Sequence, residues 1–357
     1  MTTSIAEPSH PVSISPTTTK APEPMKAFII DRYGKKEVGR IAQVPQPELR
    51  DDDVLIQIHA ASVNALDSKI RSGEFKLILP YRLPLILGKD VAGTVVQIGR
   101  RVTRFKPGDE VYACSDQDRI GTFAEFIAVK EGSLAHKPAN LSMEEAASIP
   151  LVGLTAWQVL VETAKVRKGQ KVLIHAGSGG VGTIAIQLAK HLGAHVTTTT
   201  STSNVEWVKA LGADVVIDYK KQDFATELRD YDVVLNSLGS DVLEKSLKIL
   251  RPGGHLISIS GPPTPEFAAD QGLAWPLRQV LRFLSRGIRK KAKASNVTYS
   301  FVFMRADGAQ LSAIASLVES GAIKPVIDRT FPLEATAEAM TYVDSGRTKG
   351  KVVIKIK

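Results

Sequence analysis

The hydrophobic and polar positions of this chain change period along its length. From Met25 to about Pro150, short apolar runs such as "MKAFIID", "DVLIQIHAASV", "DVAGTVVQIG", "DEVYA" and "GTFAEFIAV" are punctuated by Gly, Pro and Asp. That pattern predicts a compact, barrel-like β domain. At "SMEEAASIPLVGLTAWQVLVETA" the period becomes helical, and Ser142 with Glu145 three residues on has the form of a capping box. Strands and helices then alternate: "KVLIHAG", the helix "GGVGTIAIQLAKHLG", and the strands "HVTTTT", "DVVID", "DVVLNSL", "GHLISIS" and "TYSFVF". In the first helix Val181, Ile184, Ala185, Leu188, Ala189 and Leu192 follow i, i+3, i+4, i+7 spacing. Lys190 and His191 suit the negative end of its dipole, and Gly193 suits its stop. Short apolar strands alternating with helices imply a parallel sheet covered on both faces. Beyond about Ala309, a helix ("AQLSAIASLVESG") leads to "GKVVIKIK", a strand positioned to return to the first domain.

Composition narrows the reading. A chain of 357 residues with 43% hydrophobic and 23% charged residues is an ordinary globular protein large enough for two domains. One cysteine, Cys114, excludes an intramolecular disulfide and a multi-cysteine metal site. Residues 1–24 are rich in Ser, Thr and Pro, contain no Arg, and read as a disordered tail rather than a targeting segment. The expected compartment is the cytoplasm. A net charge of +9 favours anionic partners without choosing among them.

Candidate chemistry begins at "HAGSGGVG", which follows a predicted strand and opens an amphipathic helix. In that context, Gly177 suits a tight turn, Gly179 and Gly180 let the backbone approach a pyrophosphate, and Gly182 allows close helix–strand packing. An acid about 20 residues beyond such a loop would grip the adenosine ribose of NAD. No Asp or Glu lies between Glu162 and Glu206; Ser201, Thr202 and Asn204 stand there instead. These neutral donors would not repel a 2′-phosphate, so the expected cofactor is NADPH. Lys220 and Lys221 follow the next strand, either beside the adenosine end or on a solvated loop.

The chain resembles the zinc-independent quinone oxidoreductase (zeta-crystallin-like) family of the medium-chain dehydrogenase/reductase superfamily. The stretches that carry the resemblance are "ASVNALDSKIRSG", "LGKDVAGTVVQIG", "FKPGDEVYA", "GTFAEF", "VGLTAWQVL", "HAGSGGVGTIAIQLAK", "LGADVVIDY", "LRPGGHLISIS" and "GRTKGKVV", in family order over nearly all of residues 25–357. The resemblance implies an α/β fold in which a Rossmann-type doubly wound parallel sheet (152–308) is inserted into a GroES-like β-barrel catalytic domain (25–151, completed by 309–357), with the active cleft between them. It places Asn64 and Thr155 beside the nicotinamide, with Asn236 and Ser260 at nearby strand ends. The expected cofactor contacts are Gly177, Ser178, Gly179, Gly180, Val181, Gly182, Ser201, Thr202, Asn204, Tyr219, Asn236 and Ser260, and the expected catalytic group is Asn64, Lys89 and Thr155. It also suggests a homodimer joined through the last strand of the parallel sheet.

Zinc-dependent members place Cys at the position of Asn64 and His–Glu at that of Lys89–Asp90, so no metal is expected. His191 and His195 read as a helix-end and a strand-start histidine separated by Gly193. Many quinone reductases carry hydroxyl-bearing aromatics where this chain has Lys69 and Phe75. Lys89 therefore reads in two ways: a donor to substrate oxygen in the cleft, or an ion-pair partner of Asp90 or another acid, turned away. The expected reaction is NADPH-dependent reduction of a quinone or an α,β-unsaturated carbonyl, because hydride delivery to an electron-poor acceptor needs positioning and an oxyanion donor rather than a Lewis acid. The alternative is a nucleotide-gated binding protein at a membrane or acidic partner, with little turnover.

One segment is not absorbed by that chemistry. Residues 273–297 contain Arg278, Arg282, Arg286, Arg289, Lys290, Lys291 and Lys293 and no acid, while Leu277, Val280, Leu281, Leu284 and Ile288 follow helical spacing. This predicts a helix with an apolar and a basic face, either packed on its own domain or making a peripheral membrane contact through residues 273–293. Nucleic acid is not expected, because only Trp275 and Phe283 are available for stacking.

Overall fold

The computed structural model of the chain describes residues 23–35, 38–76 and 78–357. The tail expected over residues 1–24 thus falls almost wholly outside the described residues, and Pro24 already begins a strand. The first half contributes β1 (Pro24–Ile30), β2 (Gly39–Pro45), β3 (Asp53–Val63), β4 (Leu85–Ile86), β5 (Asp90–Ile98), β6 (Glu110–Cys114), β7 (Phe126–Lys130) and β8 (Leu134–His136). Six strands follow: β9 (Lys171–Ile174), β10 (His195–Thr200), β11 (Val215–Asp218), β12 (Tyr231–Asn236), β13 (Leu250–Ser258) and β14 (Thr298–Phe301). The C-terminal part adds β15 (Ile327–Pro332) and β16 (Lys351–Lys355).

β9 to β14 form a parallel sheet in the order β11-β10-β9-β12-β13-β14. This is a doubly wound arrangement whose strand order reverses beside β9, where a crevice opens at the carboxyl ends of the strands. β14 is the outer strand of that sheet, as "TYSFVF" implies, although pairing stops at Phe301. The β-rich lobe is a small sheet, β2-β1-β4, beside a larger one, β15-β16-β3-β5-β6-β8, with β7 also on β3. β16 pairs antiparallel with β3 from Val352↔Val63 to Lys355↔Ala60, so the chain's last strand does return to its first domain.

Local chemistry agrees with the periodicity. Ser142 Oγ accepts from the Glu145 amide at 3.2 Å and Glu145 Oε2 from the Ser142 amide at 2.9 Å, closing the expected capping box. The helix after the glycine loop spans Gly180–His191 and turns at Gly193, whose φ of 80° lies in the left-handed region. Its apolar face packs into one core that continues from Ala92 and Tyr112 in the barrel through Ile149 and Leu154 to Val172 and Ile184 in the parallel sheet. The Tyr112 hydroxyl donates to the Leu311 carbonyl at 2.6 Å, tying the C-terminal part of the chain to the barrel. The lobes therefore share buried apolar surface, which fixes the geometry of the cleft between them.

The basic segment departs from its expected packing. It forms two helices, Trp275–Leu284 and Arg286–Ala294, separated at Ser285. Leu281 and Ile288 are buried, but Val280 and Leu284 of the same apolar set face solvent. The stripe is split because the inward face is filled by Leu281, Ser285, Ile288 and Ala292, at i, i+4, i+7 and i+11.

Candidate active site

A cleft of about 540 Å³ lies between the lobes. The glycine-rich loop forms one side. Its left-handed residue is Ala176, with φ of 54°, rather than Gly177. Gly177 is required for a different reason: a Cβ there would lie 2.2 Å from Thr198 Oγ1 on the neighbouring strand. A Cβ on Gly182 would lie 2.3 Å from the Ala176 carbonyl oxygen, so helix and turn approach as closely as the sequence implies. Gly179 is the extended N-cap and supplies no side-chain cap, and Gly180, Val181 and Gly182 of the first turn line the cleft. A Cβ at Gly179 would meet only the Ala176 carbonyl oxygen, at 3.4 Å. This is a space flanked by helix-start N–H groups and the positive end of a helix dipole, which fits a pyrophosphate.

The opposite side is built by the last strand. Gly350 donates its N–H to the Ser178 carbonyl at 2.8 Å and bridges to Gly179, which seats Lys351 against the glycine loop. Gly350 has φ of 75°, and a Cβ there would lie 2.3 Å from the Val326 carbonyl oxygen, so only glycine fits. Lys351 is buried and lines the cleft. Its Nζ donates to Asn64 Oδ1 and lies 3.3 Å from Asp90 Oδ2. Asp90 is fully buried and also accepts from Ser62 Oγ, Asn64 Nδ2 and the Leu151 amide, each at 2.8 Å. The carboxylate thus holds Asn64 and Lys351 in fixed positions, one by a hydrogen bond and one by charge.

The expected site residues divide. Asn64, Thr155, Gly179, Gly180, Val181, Gly182 and Ser260 all line the cleft. Thr155 Oγ1 donates to the Leu151 carbonyl at 2.7 Å. Asn236 lies beneath the wall, donating to the Leu238 carbonyl at 2.9 Å, the same oxygen that accepts from Ser260 Oγ at 2.8 Å. Lys89 is turned away from the cleft, as its second reading has it, but on a neutral partner rather than an acid. It is fully buried, is not among the lining residues, and donates to Gln117 Oε1 at 3.1 Å; Gln117 is the residue that faces the cleft. The cation on Asp90 is Lys351 instead. Lys69 and Phe75 sit at the mouth, with the Lys69 ammonium 5.7 Å from the Phe75 ring and 3.4 Å from Glu74. Val63, Leu66, Phe301, Phe303 and Met304 give the cleft an apolar wall.

Ser201, Thr202, Asn204 and Tyr219 lie outside this cleft, at the carboxyl ends of β10 and β11. Asn204 Nδ2 donates to Ser201 Oγ at 3.1 Å, and Thr202 Oγ1 donates to Asp218 Oδ2 at 2.7 Å. An acid absent from the hydroxyl run is therefore present in space. The Thr202 hydroxyl holds the Asp218 carboxyl below its usual range, the Lys220 amide donates to it at 3.1 Å, and the Lys221 ammonium lies 3.7 Å away. The signal for it was the final Asp of the strand "DVVID". Behind the loop, His175 is held between Thr199 Oγ1 at 3.1 Å and Ser246 Oγ at 3.0 Å, and burial pushes its imidazole down to about 3. It is neutral structural packing, not an acid–base group.

Asp67, four residues before Arg71 in the Ala65–Ser72 helix, is fully buried; Oδ2 accepts the Asn64 amide at 2.7 Å while Oδ1 has no partner. Burial pushes this carboxyl up to about 7. Because the folded value exceeds the unfolded one, its contribution to stability is complete at low pH and is lost as pH rises from about 4 to about 7. Asp67→Asn removes that titration, so the variant should gain stability relative to the parent across this interval. Chemical-denaturation midpoints measured from pH 4 to pH 7.5 would reveal it; an unchanged difference between the proteins would contradict it.

The doubly wound sheet, its glycine loop and the cleft against a β-barrel lobe define a two-domain dehydrogenase/reductase. Residues 50–139 match the alcohol dehydrogenase GroES-like domain, and residues 211–354 the zinc-binding dehydrogenase model. The chain is 36% identical over 371 residues to the mouse protein NAD(P)H oxidoreductase RTN4IP1, mitochondrial, covering 95% of this chain and 91% of the relative. It is 35% identical over 344 residues to the NADPH-dependent alkenal/one oxidoreductase, chloroplastic, of Arabidopsis thaliana, covering 93% and 80%. The solved quinone oxidoreductase from Coxiella burnetii has a TM-score of 0.83 at 32% identity, covering 94% of this chain and 100% of that one. The chain belongs to the quinone oxidoreductase family of the medium-chain dehydrogenase/reductase superfamily.

The residues present do not fit the zinc that one of these family descriptions names. Among the described residues no three His, Cys, Asp or Glu side chains come together as a metal group. Asn64 and Asp90 already bind the Lys351 ammonium, a cation supplied by the chain itself.

Proposed function

We propose that this protein is an NADPH-dependent reductase of quinones or α,β-unsaturated carbonyls. The observation that carries this reading is the Lys351 ammonium, anchored on Asn64 and Asp90 in the same cleft as the glycine-loop helix start. The cleft thereby combines an anion site for a dinucleotide with a buried cation for substrate oxygen. When bound there, NADPH would supply the hydride. Gly179 to Gly182 would hold its pyrophosphate, and Asn64 and Thr155 would flank its nicotinamide ring. Phe75, Phe301 and Phe303 exclude water and orient a flat apolar acceptor. Lys351 directs an N–H at the acceptor oxygen and stabilises the charge that develops on it, while Asp90 keeps the ammonium in place. Two of the three relatives named above, one described as an alkenal/one oxidoreductase and one as a quinone oxidoreductase, agree with such acceptors.

NADPH oxidation measured across a panel of quinones and enones tests the reading. Turnover on several of them is expected, and binding of NADPH without turnover on any would favour a nucleotide-gated binding protein. A second expectation concerns the cofactor. Ser201 and Asn204 present no carboxylate, and Lys221 offsets Asp218, so NADPH should bind at least about tenfold more tightly than NADH. Ser201→Asp should weaken NADPH and spare NADH, because the new charge repels only the 2′-phosphate. Equal dissociation constants for the two cofactors in a fluorescence titration would refute the preference.

A further inference from the structure

We infer that the Trp275–Leu284 helix and the basic helix after it form a docking surface for an anionic lipid bilayer. Trp275 is 71% exposed and Phe283 74%, and Val280 and Leu284 are also largely in solvent. Large apolar side chains on a water-facing helix cost free energy unless something covers them. By helical spacing these four cover about half of the helix's circumference, while Leu281, outside that arc, packs against Phe267. Arg278 and Arg282, three and seven residues after Trp275, flank that face by helical spacing.

The following helix adds charge in a usable form. Arg286, Arg289, Lys290 and Lys293, with Asn296 and Tyr299, line a shallow groove of about 550 Å³. Among the described residues, only Lys291 of the segment's seven bases is within ion-pairing distance of an acid, on Glu244. Glu266 lies close enough to Arg282 and Arg289 for its carboxyl to be drawn down by them, after its own backbone and Thr264 hydrogen bonds. The balance remains strongly positive.

Exposed aromatics beside a cluster of bases suit the interface of a bilayer, where rings sit at headgroup depth and bases meet lipid phosphates. A second copy fits less well, because a two-fold contact would set the same seven bases against themselves. Among the described residues no helix is long and apolar enough to cross a membrane, so the contact is peripheral. The site lies one layer of side chains from the cleft: Phe267 and Leu281 pack with Phe301 and Phe303, which line it. The docking itself does not rest on the reductase reading.

The test is co-sedimentation of the full chain with phosphatidylserine–phosphatidylcholine vesicles and with phosphatidylcholine vesicles, at low and high salt. Binding to the anionic vesicles alone, weakened by salt, is expected. Trp275→Ser/Phe283→Ser should reduce it by at least about tenfold, and each of Arg286→Gln and Lys290→Gln by about fivefold. Melting temperature and NADPH-dependent turnover of a water-soluble acceptor should not change, since none of these residues reaches the cleft. Absence of binding, equal binding to both vesicles, or binding indifferent to the variants would overturn the proposal. So would a dimer-to-monomer change of the double variant in light scattering, which would assign the face to a second copy.

Discussion

The Lys351→Met/Asp90→Asn double variant should fold, bind NADPH as the parent does, and lose about 100- to 1,000-fold in turnover. The two changes are made together for a physical reason. Asp90 is fully buried, and removing Lys351 alone would leave its carboxylate without the opposing charge. Breaking one side of such a pair costs about 3–5 kcal/mol, whereas replacing both charges can be nearly neutral. Asn at position 90 can still accept from the Leu151 amide through Oδ1, a bond made at 2.8 Å in the parent, while its Nδ2 replaces Oδ2 and can donate to Ser62 Oγ and to an Asn64 Oδ1 no longer held by Lys351. Any remaining loss then belongs to the missing ammonium. Steady-state kinetics with a quinone and an enone, together with a melting curve, decide it. Parental turnover in a well-folded double variant would show that positioning of donor and acceptor carries the reaction without this cation.

Two substitutions in the glycine loop should separate folding from cofactor binding. Gly182→Ala places a methyl where the Ala176 carbonyl oxygen is 2.3 Å away and the Gly177 Cα 2.7 Å away. These are backbone atoms that cannot rotate aside, so the turn must open, at about 1–3 kcal/mol or more. Both melting temperature and NADPH affinity should fall. Gly179→Ala meets only one atom, at 3.4 Å, and φ there is −85°, which alanine adopts without strain. Its melting temperature should hold, while NADPH affinity falls by about tenfold or more because the methyl enters the space meant for the pyrophosphate. If Gly179→Ala bound NADPH normally, the cofactor would have to lie elsewhere than across this helix start.

Much of this architecture was legible because local rules and global fold agree. The alternation after Lys171, the capping box at Ser142 and the stop at Gly193 each reflect nearest-neighbour chemistry and appear where the pattern places them. The site was legible only in part. Asn64, Thr155, Gly179, Gly180 and Gly182 meet in one cleft, which Gly177 and Ser178 do not line, but Lys351 has no sequence signal of its own. It lies 261 positions from Asp90, and nothing in "GKVVIKIK" distinguishes a buried ammonium from an ordinary strand lysine. Lys89 shows the opposite difficulty: its neighbour in sequence is Asp90, yet successive residues of extended backbone point to opposite sides, and its partner is Gln117. Asp218 is not legible from its place in the sequence, because a parallel pairing, Thr200↔Asp218, delivers it to a hydroxyl run 16 residues away. The split stripe on the Trp275–Leu284 helix has the same origin: periodicity reports a period, not how wide a face the neighbours cover.

The contact between Gly350 and Ser178 ties the end of the chain to the loop that would cradle the cofactor. Occupancy of that loop is therefore coupled to the seating of β16, the strand between β15 and β3 in the barrel sheet. A ligand at about 100 times its dissociation constant stabilises the form that binds it by about 2.7 kcal/mol, and this protection would extend through Gly350 into both lobes. Coupling of this kind is reciprocal. Whatever loosens the C-terminal strand also weakens the grip on the nucleotide, and it withdraws Lys351 from the cleft at the same moment. Cofactor retention and the chemistry it serves are thus governed by one element, so a molecule with a frayed end would release its nucleotide rather than hold it in a defective site.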